Sequence, residues 1–186
     1  MKNIKEIIKQ SGIKFGTSGA RGLVVDFAPE VCTAFTQSFL DAMKKTFDFQ
    51  RVAVAMDNRP SSPEIAATIC GAIEEYGLEV DLYGVLPTPA LALQSMKDKI
   101  PSIMITGSHI PFYRNGIKFY TPDGEISKED ESEIINNLNQ IKLAKANLSE
   151  VKENASINYM DRYANFFGSN CLSGLKIGIY EHSSAG

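Results

Sequence analysis

Ile103-Met104-Ile105-Thr106-Gly107-Ser108-His109-Ile110-Pro111, with Asn115-Gly116-Ile117-Lys118 close behind, is the stretch whose reading decides the fold. Ile103 to Ile105 read as a buried strand of an α/β sheet, and the small polar residues after them as the loop at that strand's carboxyl end. Ligands of open α/β sheets bind along that edge. Gly107 permits close backbone approach or a positive φ just before the hydroxyl, and Pro111 keeps the loop from collapsing into a helix. Ser108 is thereby presented rather than buried.

On the amino-terminal side, Ile4 to Gln10 form a short amphipathic segment, and Phe15 to Gly22 a glycine-rich loop. Apolar residues at helical spacing from Val31 to Met43, after Pro29, predict a helix. Arg51 to Met56 is a strand. Ser61-Ser62-Pro63-Glu64 supplies a capping serine and a first-turn proline for a helix that runs to about Tyr76, where Gly77 ends it. Leu78 to Tyr83 is the next strand, and Ala90 to Met96 a helix after the stiff loop Pro87-Thr88-Pro89.

Beyond the serine loop, Ile117 to Tyr120 alternates as a strand antiparallel to its neighbour. Glu129 to Ile141 reads as a helix with an acidic first turn. The pattern predicts an α/β domain over 1–141, built on a mixed four-stranded sheet covered by helices. Residues 142–156 read as a polar linker, and 157–186 as the truncated start of a second, similar domain: a helix from Ile157 to Phe167 and its first strand, Leu175 to Tyr180. The chain reads as a fragment of a larger protein.

Composition narrows the function. With 186 residues, 44% hydrophobic and 22% charged, the chain is an ordinary globular α/β protein without an apolar run long enough to span a bilayer or act as a secretory signal. A cytoplasmic location follows as the expectation. Nineteen Lys and Arg against 22 Asp and Glu, with no basic block, exclude a nucleic-acid partner. Cys32, Cys70 and Cys171 lack metal-binding spacing and read as reduced core residues.

Several groups bear chemistry. The backbone N–H groups of Gly16-Thr17-Ser18-Gly19 and the guanidinium of Arg21 suit a phosphate, though such a loop is about as often a plain turn. Asp57-Asn58-Arg59 reads first as a structural ion pair, with Arg59 and Ser61 supporting the serine loop. Ser108 beside His109 is not a hydrolase pair, because adjacent residues rarely make the nucleophile–base bond and no G-x-S-x-G elbow is present. Two histidines are too few for a histidine-built zinc site. Lys118 lies where its ammonium could turn toward a phosphate on Ser108, though taken apart from that loop it reads more simply as a solvent-facing lysine.

Taken in order, FGTSGARG, DNRPSSPE, GVLPTPAL and TGSHIPFYRNGIK resemble the N-terminal domain of the α-D-phosphohexomutases, the phosphomannomutase/phosphoglucomutase family. FGTSG tilts the likeness toward the phosphomannomutase/phosphoglucomutase branch rather than the phosphoglucosamine branch. The resemblance implies a three-layer α/β/α domain I and an isomerase that interconverts hexose 1- and 6-phosphates. The route it implies is a phosphoserine at Ser108 and a hexose 1,6-bisphosphate that serves as intermediate and activator. It implies Arg21, His109 and Lys118 around that phosphoserine, and Thr17, Ser18, Gly19, Arg21 and Asn115 toward phosphate. Mg²⁺ would be held by the Ser108 phosphate together with a D-G-D-x-D-R loop that this sequence does not contain.

Gly107 and Ile110 depart from the commoner T-A-S-H-N-P loop, so a polar contact is lost or is supplied by Arg114 or Asn115. The expected partners are a mannose or glucose phosphate and the remaining domains of a longer chain, the isolated fragment being inactive. The alternative is a non-catalytic sugar-phosphate-binding or regulatory domain on the same fold.

Overall fold

A computed structural model describes residues 3–16, 19–168 and 170–186. A mixed sheet organises it, in the order β1-β2-β6-β5-β3-β4, with a short β7 beside β6. The parallel part is β3 (Arg51–Met56) flanked by β4 (Glu79–Val85) and β5 (Ser102–Ile105). These strands are rich in Val, Ile and Ala and buried on both faces, as parallel strands under crossover helices must be. β6 (Arg114–Thr121) pairs antiparallel with β5, the direction expected from the short connection.

Helices α1 (Ile4–Gln10), α2 (Pro29–Met43), α3 (Ser62–Glu75) and α5 (Lys128–Ile135) pack one face of the sheet. The core there includes Phe35, Phe39 and Phe119, with the Phe39 and Phe119 rings 4.9 Å apart. α4 (Thr88–Asp98) and the first turns of α6 (Asn154–Phe167) cover the other face through Leu91, Met104, Tyr120 and Ala155. The result is a three-layer α/β/α arrangement. Among the described residues no helix is long and apolar enough to cross a membrane.

Six local expectations are corrected. The sheet has seven strands, not four: the glycine-rich stretch forms the hairpin strands β1 (Lys14–Gly16) and β2 (Gly19–Leu23), and β7 (Gly124–Glu125) closes a turn on β6. Glycine masked the alternation that seats Ala20 in the core. Ser61 takes the N-cap position of α3 as expected, but its hydroxyl makes no capping hydrogen bond and instead accepts one from Asn115. α5 stops at Ile135 rather than Ile141, because Asn137 and Asn139 turn their amides to Asp41 and their carbonyls accept from the first turn of α1.

Residues 142–156 are not a free linker. Asn147 N–H donates to Ala67 O on α3, Val151 bridges Leu82, and the strap so formed covers the exposed edge of β4. A Cβ on Gly71 would lie 1.9 Å from Lys145 O, so only glycine admits this approach. Leu175 to Tyr180 form no strand; they are exposed, with no ladder partner among the described residues. Cys32 and Cys70 are buried as expected, whereas Cys171 is exposed.

Candidate functional site

The carboxyl ends of β3 and β5 lie side by side, and Asp57 joins them. One Asp57 oxygen accepts from the Arg59 N–H at 3.1 Å and the Ser62 hydroxyl at 2.6 Å. The other accepts from Arg59 Nε at 3.2 Å, Thr106 Oγ1 at 2.9 Å and Gly107 N–H at 3.0 Å. A carboxylate holding five donors is charge-assisted glue between the end of β3, the start of α3 and the serine loop.

Arg59 completes the frame. Its Nη1 donates to Pro111 O at 3.0 Å and Arg114 O at 3.2 Å, and its Nη2 to Ser108 O at 2.9 Å and to Ile110 O. With Nε on Asp57, all five guanidinium N–H groups are used. The group is seated between Gly107, where a Cβ would come within 2.3 Å of Cζ, and the Phe112 ring, whose centroid is 4.9 Å away. The sequence reading of Asp57 and Arg59 as a structural pair supporting the serine loop therefore agrees with the geometry. What it missed is the carbonyl cluster, which becomes visible only once the loop is folded.

Ser108 is exposed and left-handed, with φ 52°. For a residue with a Cβ that conformation costs about 1 kcal/mol or more and needs external support. The support comes from both sides: Ser108 N–H donates to Thr106 Oγ1 at 2.9 Å, and Ser108 O accepts from Arg59. Thr106, which sequence reading passed over, links Ser108 to Asp57. Ser108 Oγ lies 3.4 Å from His109 Nδ1, and both residues line an open cavity of about 590 Å³ with Thr88, Met104 and Phe112. The first turn of α4 begins at Thr88, so its positive dipole end forms part of the wall.

Arg21 stands opposite Gly116 on β6, and Lys118 opposite Met104 on β5. Directly paired residues share a sheet face and alternate residues repeat it, which puts both cations on the face that carries Met104. Both are half-buried, and neither makes a hydrogen bond or ion pair among the described residues. Gly19, at φ 91°, begins β2, and a Cβ there would meet Ile117 O at 2.4 Å. Thr17 and Ser18 lie outside the described residues.

Asn115 is corrected from phosphate contact to frame: it is fully buried, donating to Ser61 Oγ at 2.8 Å and Ser62 Oγ at 3.1 Å, and its oxygen accepts from Gly116 N–H. Arg114 contributes its backbone carbonyl to Arg59, not a side-chain contact to the loop. Among the described residues no three His, Cys, Asp or Glu side chains gather as metal ligands, and both Asp57 oxygens are committed to the frame. Apart from the Ser108 oxygen, the described residues do not assemble the octahedral oxygen shell that Mg²⁺ requires.

A profile described as "Phosphoglucomutase/phosphomannomutase, alpha/beta/alpha domain I" matches residues 12–145. A phosphomannomutase of Salmonella muenchen is 55% identical, the match covering 100% of this chain and 40% of that protein. A phosphomannomutase of Sinorhizobium fredii is 44% identical, over 93% of this chain and 39% of the relative. A crystal structure from Thermus thermophilus, assigned as a phosphomannomutase, superposes with a TM-score of 0.64 at 26% identity, covering 76% of this chain and 32% of its own. The chain thus spans only 40% and 39% of the length of these two curated relatives.

Proposed function

The chain belongs to the phosphoglucomutase/phosphomannomutase family, as its α/β/α domain I, and on that premise we propose that it is the N-terminal part of a phosphomannomutase-type intramolecular phosphotransferase. Ser108 carries the phosphoryl group. The observation that supports this is the exposed hydroxyl on a backbone clamped at both flanking peptide groups, at the ligand-binding edge of the sheet.

In the forward half-reaction the phosphorus–Oγ bond of phosphoserine breaks and a phosphorus–oxygen bond to a hexose phosphate hydroxyl forms. The proton passes from that hydroxyl to Ser108 Oγ. His109 Nδ1, 3.4 Å from Oγ, is placed to relay it. The bound hexose bisphosphate then reorients and returns its other phosphoryl group. Arg21 and Lys118, without carboxylate partners among the described residues, neutralise the transferred charge, and Gly19, with Thr17 and Ser18 as the family likeness implies, serves phosphate binding. Among the described residues no Mg²⁺ site is complete; the phosphate on Ser108 would supply one oxygen ligand, and the ion would help to neutralise charge on the transferred group.

The substrate class is a hexose phosphate, mannose or glucose, handled in the cytoplasm. The lone domain lacks the distal contacts that position it and should not turn over. A coupled assay on the full-length protein with Ser108→Ala tests the reading. We expect turnover to be abolished with the fold intact; near-normal turnover would show that another group carries the phosphate. A wild-type protein that binds hexose phosphate without turnover would favour the non-catalytic alternative.

A further inference from the structure

We infer that Arg59 is the positioning residue that sets the Ser108 hydroxyl for phosphoryl transfer, an inference that rests on the reading of Ser108 as the phosphoryl carrier. Arg59 does not touch phosphate itself. Its charge is met by Asp57 and its five donors are spent on Asp57 and on the carbonyls of Ser108, Ile110, Pro111 and Arg114, which separates it from Arg21 and Lys118, neither of which has a partner among the described residues. These four carbonyls span the loop from the serine to the start of β6, so one planar group fixes the curvature of the segment that presents the hydroxyl.

The clamp bears directly on the reacting atom. Thr106 holds the Ser108 N–H and Arg59 holds the Ser108 carbonyl, so φ and ψ of a strained residue are fixed from both ends while Oγ, in contact with His109 Nδ1, faces the cavity. Gly107 belongs to the same device: the guanidinium occupies the space a Cβ would fill, 2.3 Å from both Cζ and Nε. An alanine there, the residue of the commoner family loop, would meet only the flexible end of Arg59, which would have to shift to admit it. Lysine cannot replace the arginine, because three donors on one nitrogen cannot reach acceptors spread around a planar fork.

The test is kinetic, on the full-length protein, with Arg59→Lys, Arg59→Ala, Gly107→Ala and the Arg59→Ala/Gly107→Ala double variant. Phosphate on Ser108 of the wild type is read first by peptide mass. Arg59→Lys should lower kcat per folded molecule by about 100-fold, the scale of an ångström-level misplacement, while KM stays within about twofold. Gly107→Ala, whose Cβ would press only on the movable end of Arg59, should lower kcat by a smaller factor than Arg59→Lys in the wild-type background and add nothing in the Arg59→Ala background.

A purely structural role predicts less folded protein with unchanged kcat per folded molecule. That result in Arg59→Lys, or in Gly107→Ala should the arginine variants fail to fold, would overturn the inference, as would additive losses in the double variant. A wild type that never carries phosphate on Ser108 would overturn the underlying reading as well.

Discussion

Two carboxylates, one partly buried just past the end of β3 and one buried within neighbouring β4, use the same chemistry for different ends. Asp57, at the end of β3, has its cation buried with it: the Asp57 side chain is 15% exposed and that of Arg59 6%. Asp81, within β4, is 1% exposed, but its partners Arg51 and Lys152 are 41% and 48% exposed. At Asp57 the enclosed cation has donors left over for four loop carbonyls, so the pair dictates the shape of irregular backbone. At Asp81 the half-solvated Arg51 ties β4 to β3 and the half-solvated Lys152 fastens the 142–156 strap to the sheet edge. A buried ion pair governs a site when its surplus hydrogen bonds are directed at the reactive segment; otherwise it is a fastening.

Removing one charge from each pair should expose the difference. Asp57→Asn sets an amide against an array of five donors and leaves Arg59 enclosed without a counter-charge, at a cost of about 3 kcal/mol. Urea unfolding should show that loss, and amide exchange at Gly107 and Ser108 should accelerate with it. Asp81→Asn leaves cations that water already reaches, so about 1 kcal/mol is expected, with Ser108 exchange unchanged. Equal losses, or a disturbed serine loop in Asp81→Asn, would erase the distinction.

Ser108→Gly separates strain from function. Glycine adopts φ 52° without the Cβ penalty, so the variant should gain up to about 1 kcal/mol against Ser108→Ala, and both should lose phosphoryl transfer. A smaller effect touches neither carboxylate. Burial pushes the Cys32 and Cys70 thiols from 9.0 up to about 12. The folded state therefore favours the neutral thiol; their contribution is whole below pH 9 and is lost as pH climbs toward 12. At pH 8 a thiol reagent should label exposed Cys171 quickly and the buried pair only on unfolding.

The sequence revealed what local pattern encodes. The apolar run Ile103 to Ile105 gave β5 and its loop, and Ser62-Pro63 with Gly77 bracketed α3. What stayed hidden depends on tertiary partners. Asn115 looked available until β6 proved to begin at Arg114 and bury it, and α5 was cut short by amides reaching an aspartate on α2. The pairing of β1 with β2 was disguised because glycine carries no side chain to show alternation. No sequence rule places four carbonyls around Arg59, since they converge only when the turn from Ser108 to Arg114 has formed.

The most direct measurement is peptide-resolved mass spectrometry of the full-length protein after incubation with a hexose 1,6-bisphosphate. A gain of about 80 Da confined to Ser108, reversed by excess hexose monophosphate, is the result expected of a phosphoryl carrier. Phosphate on a different residue, or none anywhere while turnover proceeds, would contradict the assignment of Ser108.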